Sequence, residues 1–141
     1  MAAFSIGVDL GGTNLRIAAV EESGIQLEGV SVLTEISRGR EKVVDGMIES
    51  VRFLTNKYSP SHKFLGLGIG IPGIIDLQSG TVHSASNLPD WNGYPVREDL
   101  EIRLGTAVIL ENDANCAAVG EKWLGARKNP FPLTVRGRRL G

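Results

Sequence analysis

Asp9-Leu10-Gly11-Gly12-Thr13-Asn14-Leu15-Arg16 lies between two apolar runs, Phe4-Ser5-Ile6-Gly7-Val8 before it and Leu15-Arg16-Ile17-Ala18-Ala19-Val20 overlapping its end. Both runs read as strands, so the octet reads as the tight turn of a hairpin that joins neighbours in a sheet. The two glycines are expected to take positive φ and to keep Cβ atoms away, letting successive N–H groups converge on an anion. Thr13 adds a hydroxyl donor. Asp9, at the carboxyl end of the first strand, would repel a phosphate unless a divalent cation lay between them, and that pairing points to magnesium–nucleotide chemistry. An ordinary Gly-Gly hairpin with Asp9 and Asn14 as turn residues is the alternative that the octet alone leaves open. A Walker A loop is excluded because no Lys is present, and a Rossmann fingerprint because a strand, not a helix, follows the glycines.

Working outward, Ile25 to Val32 alternates as a third strand after the turn Glu21-Glu22-Ser23-Gly24, so the chain opens with a three-strand meander. Arg40 to Tyr58 places Val44, Met47, Ile48, Val51, Leu54 and Tyr58 on one helical stripe. Phe64 to Ile71 is apolar and glycine-rich, consistent with a buried strand that something approaches closely, and Pro72-Gly73 ends it. Asp76 to Gly80 is a turn before Thr81-Val82-His83. Pro95 to Leu104 reads as a short helix closed by Gly105, Ala107 to Leu110 as a strand, and Ala114 to Leu124 as a helix capped by Asp113 and closed by Gly125. The expected architecture is therefore α/β, a meander followed by alternating helices and strands.

A chain of 141 residues suits one domain, and its net charge of −1 with 22% charged residues gives no general attraction to nucleic acid or anionic membrane. The single cysteine, Cys116, cannot form an internal disulfide, and no Cys/His spacing fits zinc. No segment has the ~20 apolar residues of a membrane helix, and the expected location is the cytoplasm. The last fifteen residues, Arg127 to Gly141, hold five basic and no acidic residues and are expected to be a solvated end outside the fold.

A second constellation, Glu111-Asn112-Asp113-Ala114-Asn115, follows a strand and opens a helix. That places its polar side chains at a sheet's carboxyl edge, where α/β ligands bind. An aspartate there can take a proton from a hydroxyl attacking a phosphoryl group, and Asn112 can both donate to and accept from sugar hydroxyls. Helix capping is the stronger account of the same Asn-Asp pair taken alone.

Taken in order, Asp9 to Asn14, Gly68-Ile69-Gly70-Ile71-Pro72-Gly73 with Asp76, Asn87-Leu88-Pro89-Asp90-Trp91, and Glu111 to Asn115 resemble the ROK family of bacterial glucokinases, other sugar kinases and sugar-responsive repressors. The resemblance implies the N-terminal lobe of an actin-like, ribonuclease-H-like ATPase over residues 1–126. By resemblance, Asp9, Gly11, Gly12 and Thr13 form the first phosphate and metal loop, with Asp9 holding Mg2+ through water and Asn14 and Arg16 beside it. Asp113 is similar to the catalytic base, Asn112 to its sugar-contacting partner and Asn87 to an asparagine on sugar hydroxyls, while Gly73 admits the sugar close to the main chain. Trp91 is expected to pack and not to wall a pocket, and His62 and His83 carry no role. The implied activity is ATP-dependent phosphorylation of a hexose, glucose to glucose 6-phosphate, with ATP and Mg2+ as cofactors and a homodimer allowed for the full-length member.

The resemblance fades near Ala126, and the family's second glycine-rich phosphate loop, Glu-x-Gly-His sugar ligands and zinc motif find no counterpart. The expectation is a truncated or frame-changed end and an isolated chain with negligible turnover. Two rivals remain. A sugar-sensing transcriptional regulator needs a DNA-binding segment before the first strand, which starts by about Phe4. An actin- or chaperone-like ATPase shares the phosphate hairpin but has no use for Asn87 or the Asn112-Asp113 pair.

Overall fold

The computed structural model describes residues 1–85 and 88–111. Strands β1 (Ala3–Leu10), β2 (Asn14–Glu21) and β3 (Gln26–Leu33) form the expected meander. Helix α1 (Arg40–Tyr58) leads to β4 (Lys63–Gly70), a short hairpin of β5 (Ile74–Asp76) and β6 (Thr81–Ser84), helix α2 (Val96–Leu104) and β7 (Val108–Glu111). Five strands make one sheet in the order β3-β2-β1-β4-β7, and β5 and β6 pair separately. β1 runs antiparallel to β2 and parallel to β4, which runs parallel to β7.

Register divides the sheet into two unlike faces. Phe4, Ile6, Val8 and Leu10 of β1 lie beside Leu15, Ile17 and Ala19 of β2, Leu67 and Ile69 of β4, and Val108 and Leu110 of β7 in one core. The same core holds Val43, Val44, Met47, Ile48, Val51 and Leu54 of α1, at the three- and four-residue spacing of one helix face, and Val96 and Leu100 of α2. Both helices therefore cover the same face, as right-handed crossovers stepping in one direction along the sheet require. The opposite face carries Ser5, Gly7 and Asp9, then Ala18, then Gly68 and Gly70, small residues for the most part.

The element ends follow local chemistry. Gly105 closes α2 in the left-handed conformation, φ 66°. Helix α1 has no side chain of its own at the cap; the Arg40 N–H instead donates to Asp90 Oδ2 across fifty residues of chain, at 2.7 Å. The β5–β6 hairpin was not legible as two strands because three and four residues are too few to show alternation. Asp76 Oδ1 accepts the Gln78 and Ser79 N–H groups inside that hairpin's turn, at 3.0 and 3.2 Å. The helix expected over Ala114–Leu124, Cys116 and the basic end lie outside the described residues.

Candidate functional site

Because β1, β4 and β7 are parallel, their carboxyl ends share one edge of the sheet. Asp9, half-buried, stands directly opposite Arg16 on β2 and Gly70 on β4, and Gly70 stands opposite Glu111 on β7. Paired residues project from the same face. Asp9 and Glu111 thus flank a glycine with no side chain, two strand spacings or roughly 10 Å apart at Cα. Glu111 is 2% exposed. The Ile71 N–H donates to the Glu111 carbonyl at 3.1 Å, so the main chain that continues to Asn112 and Asp113 leaves β7 at this edge.

The β1–β2 turn rises from the same edge, with Gly12 and Thr13 exposed and Asn14 half-buried. The positive φ expected of its glycines is not found. Among the described glycines, positive φ occurs at Gly24, Gly39, Gly73, Gly80, Gly93 and Gly105, not at Gly11 or Gly12. Space is what requires glycine at position 11. A Cβ there would sit 2.9 Å from the Asn14 carbonyl oxygen, which accepts the Gly11 N–H at 3.0 Å. Thr34, just past β3 and 3% exposed, holds the turn from the other side. Its hydroxyl donates to the Gly11 carbonyl at 2.8 Å and its N–H to the Thr13 carbonyl at 2.9 Å. Nothing in the sequence marks Thr34, because the contact spans 23 residues and depends on β2–β3 pairing.

Gly73 has φ 119°, and a Cβ on it would lie 2.3 Å from the Ser84 carbonyl oxygen and 2.9 Å from the Ala85 Cα. The close approach seen here is to the protein's own main chain, two residues before Asn87. The flanks of Asn87 are tied down: the Leu88 N–H donates to the Ala85 carbonyl at 3.0 Å, and the Ala85 N–H to Asn92 Oδ1 at 3.1 Å. Trp91 is fully buried and meets the Tyr94 ring edge-on at 5.3 Å, so it packs as expected. The Arg40 guanidinium lies 4.3 Å from the Tyr94 ring centroid. Burial, then the Asp99 carboxylate accepting the hydroxyl proton, push the Tyr94 phenol well above its ordinary range. Asn87, Asn112 and Asp113 themselves lie outside the described residues. The structure thus brings Asp9, Gly11, Gly12, Thr13, Asn14 and Arg16 to one edge, and the main chain flanking the remaining candidates to defined positions.

A separate open groove of about 390 Å³ between α1 and α2 is lined by Arg40, Tyr94, Asp99 and Arg103. Among the described residues, none of the motif side chains lines it. Charges of both signs already pair there, Arg103 with Asp45 at 2.7 Å and with Asp99 at 3.6 Å.

This sheet order, with both helices on one face and a tight glycine-bearing hairpin between its first two strands, is that of the actin-like ATPase fold, shared with sugar kinases of known structure. The chain belongs to the ROK family, whose model it matches over residues 5–131. It is 40% identical to a glucokinase of Thermotoga maritima over 121 residues, covering 86% of this chain and 37% of that protein. It is 33% identical to a putative xylose repressor of Caldicellulosiruptor, covering 85% of this chain and 30% of that protein. Among solved structures, the ROK glucokinase of Streptomyces griseus in complex with glucose and AMPPNP superposes with a TM-score of 0.64 at 35% identity, covering 90% of this chain and 38% of that one. The chain therefore spans about a third of the length of such relatives.

Proposed function

We propose that this chain supplies one wall of a hexose kinase cleft, in which ATP phosphorylates the terminal hydroxyl of glucose to give glucose 6-phosphate. The observation that carries this reading is the shared edge: the exposed Gly12-Thr13 turn, Asp9 and the exit of β7 toward Asp113 all stand at the carboxyl ends of parallel strands. In this reading the turn amides and the Thr13 hydroxyl hold phosphate oxygens, with Asn14 and Arg16 flanking them. Asp113 takes the proton of the attacking hydroxyl, Asn87 and Asn112 bind sugar hydroxyls, and Gly73 keeps the main chain near the sugar. A wrong epimer would leave one of those polar partners unpaired, at roughly 1–3 kcal/mol each.

The residues fit magnesium in one particular way. Among the described residues no three His, Cys, Asp or Glu side chains gather as a cage. A half-buried Asp9 beside a phosphate turn suits an ion that arrives on phosphate oxygens and keeps most of its water, held by Asp9 through one of those waters. When bound, the ion would neutralise charge on the transferred phosphoryl group.

Phosphoryl transfer rests on positioning in a water-poor cleft, so we expect only trace turnover from this chain alone. A coupled ADP-release assay with glucose checks that, and ordinary kinase rates would refute it. Binding tests the assignment itself: amide and side-chain resonances of Gly73, Asn87, Asn112 and Asp113 should shift with glucose, and those of Gly12 and Thr13 with Mg·ATP. A nucleotide response without any sugar response would favour an actin- or chaperone-like ATPase. Similarity to a xylose repressor keeps a second reading, a sugar-sensing regulator, for which sugar but not nucleotide shifts resonances.

A further inference from the structure

We propose that Thr34 is a positioning residue for the phosphate turn: by holding the Gly11 and Thr13 carbonyls toward β3, it aims the Gly12 N–H at the ligand. The proposal rests on the phosphate-turn reading above and adds which amide does the binding and what aims it.

Among the described residues, Ser5, Thr34 and Glu111 are the buried polar ones. Thr34 is 3% exposed, and its hydroxyl and its N–H both contact the same turn, at 2.8 Å to the Gly11 carbonyl and 2.9 Å to the Thr13 carbonyl. A trans peptide is planar, so its C=O and the next residue's N–H point in opposite directions. With the Gly11 carbonyl drawn to Thr34, the Gly12 N–H faces away from β3. The Gly11 N–H is committed, donating within the turn to the Asn14 carbonyl at 3.0 Å. Gly12 is exposed, and two adjacent glycines would otherwise leave this peptide free to rotate. A hydroxyl anchored in buried structure removes that freedom before any ligand arrives, which is how a preorganised donor gains affinity.

The test is nuclear magnetic resonance on the 15N-labelled 141-residue chain, titrated with magnesium tripolyphosphate and with Mg·ATP. In the wild type the Gly12 and Thr13 amides should shift and the Gly11 amide should move least of the three. Thr34→Val, which keeps the shape and loses the donor, should weaken polyphosphate affinity at least about tenfold, the scale of one lost hydrogen bond that orients a charge-binding amide. Thr34→Ser, which keeps the donor, should stay within about threefold. Wild-type binding with Thr34→Val equally tight, even at a lowered Tm, overturns the proposal and spares the phosphate reading. A Gly11 amide that shifts more than Gly12 does the same. If Thr34→Val fails to fold, the order of wild-type shifts decides. No response anywhere in residues 9–14 overturns the phosphate reading and the proposal with it.

Discussion

The two ends of the sheet use their polar groups in opposite ways. At the end where β1 begins and β2 stops, side chains satisfy each other: His62 Nε2 pairs with Glu21 Oε2 at 2.9 Å and its Nδ1 with Ser61 Oγ at 2.8 Å. Lys57 and the Tyr58 hydroxyl both donate to Glu28 Oε1, at 2.7 and 2.8 Å. Phe4, fully buried, is ringed there by Tyr58, His62 and Phe64, with centroids 5.2–6.2 Å away. At the other end the main chain is bent into exposed turns, one held from behind by Thr34 under Gly11 and Thr13, the other packed at Gly73 so close to Ser84 and Ala85 that no Cβ fits. One end pairs its polar side chains with one another, the other fixes the main chain of an exposed turn. On the proposed reading, ligand binding and fold strength separate along the strands, and substitutions at the two ends should separate them too.

The largest expected effect is at the closed end. Phe4→Ala should cost about 3–5 kcal/mol of stability, seen as a lowered denaturation midpoint. Polyphosphate affinity of the protein that remains folded should not change, and a parallel loss of affinity would break the separation. At the open end, Gly73→Ala forces a Cβ into the Ser84 carbonyl at a φ that L-residues rarely adopt. It should cost about 2–4 kcal/mol and abolish the glucose-induced shifts beyond it, whereas an unchanged Tm would show that this loop is not held as described.

Smaller effects sharpen the same contrast. Asp90→Ala removes the cap that α1 borrows from the segment after Asn87 and should cost about 1 kcal/mol by denaturation. Asp90→Asn, which keeps an acceptor, should recover most of it. Least of all is Glu21→Gln. The hydrogen bond from His62, and then that from Ser23, hold the Glu21 carboxyl below its ordinary value of 4.5. A lowered folded-state pKa contributes stability that is present above 4.5 and fades as pH falls through the lowered value. The stability gap between wild type and Glu21→Gln should therefore be steady near neutrality and close well below pH 4.5; a gap that widens in acid would contradict the pairing.

Periodicity made much of this legible. The hairpin around Gly11-Gly12, the α1 span Arg40–Tyr58 and the Gly105 cap follow from patterns within a few residues. What stayed hidden depends on distant pairing. Thr34 reaches the turn only because β3 returns beside β2, and Asp90 caps a helix fifty residues earlier. The reason for glycine at position 11 was misjudged as backbone conformation because a close carbonyl cannot be seen in a local pattern. Of the candidate site, the turn that places Asp9, Gly11, Gly12, Thr13, Asn14 and Arg16 at one edge was readable from the local pattern, while Asn87, Asn112 and Asp113 lie beyond the described residues.

The proposed kinase cleft requires the Gly11–Thr13 turn and Asp113 to face one cavity. Paramagnetic broadening by Mn·ATP, with Mn2+ in place of Mg2+, measures it directly on the labelled chain. Amide resonances of Gly12, Thr13 and Asp113 should broaden together while those of Ser61 and His62 stay sharp. A sharp Asp113 resonance beside a broadened turn would contradict it.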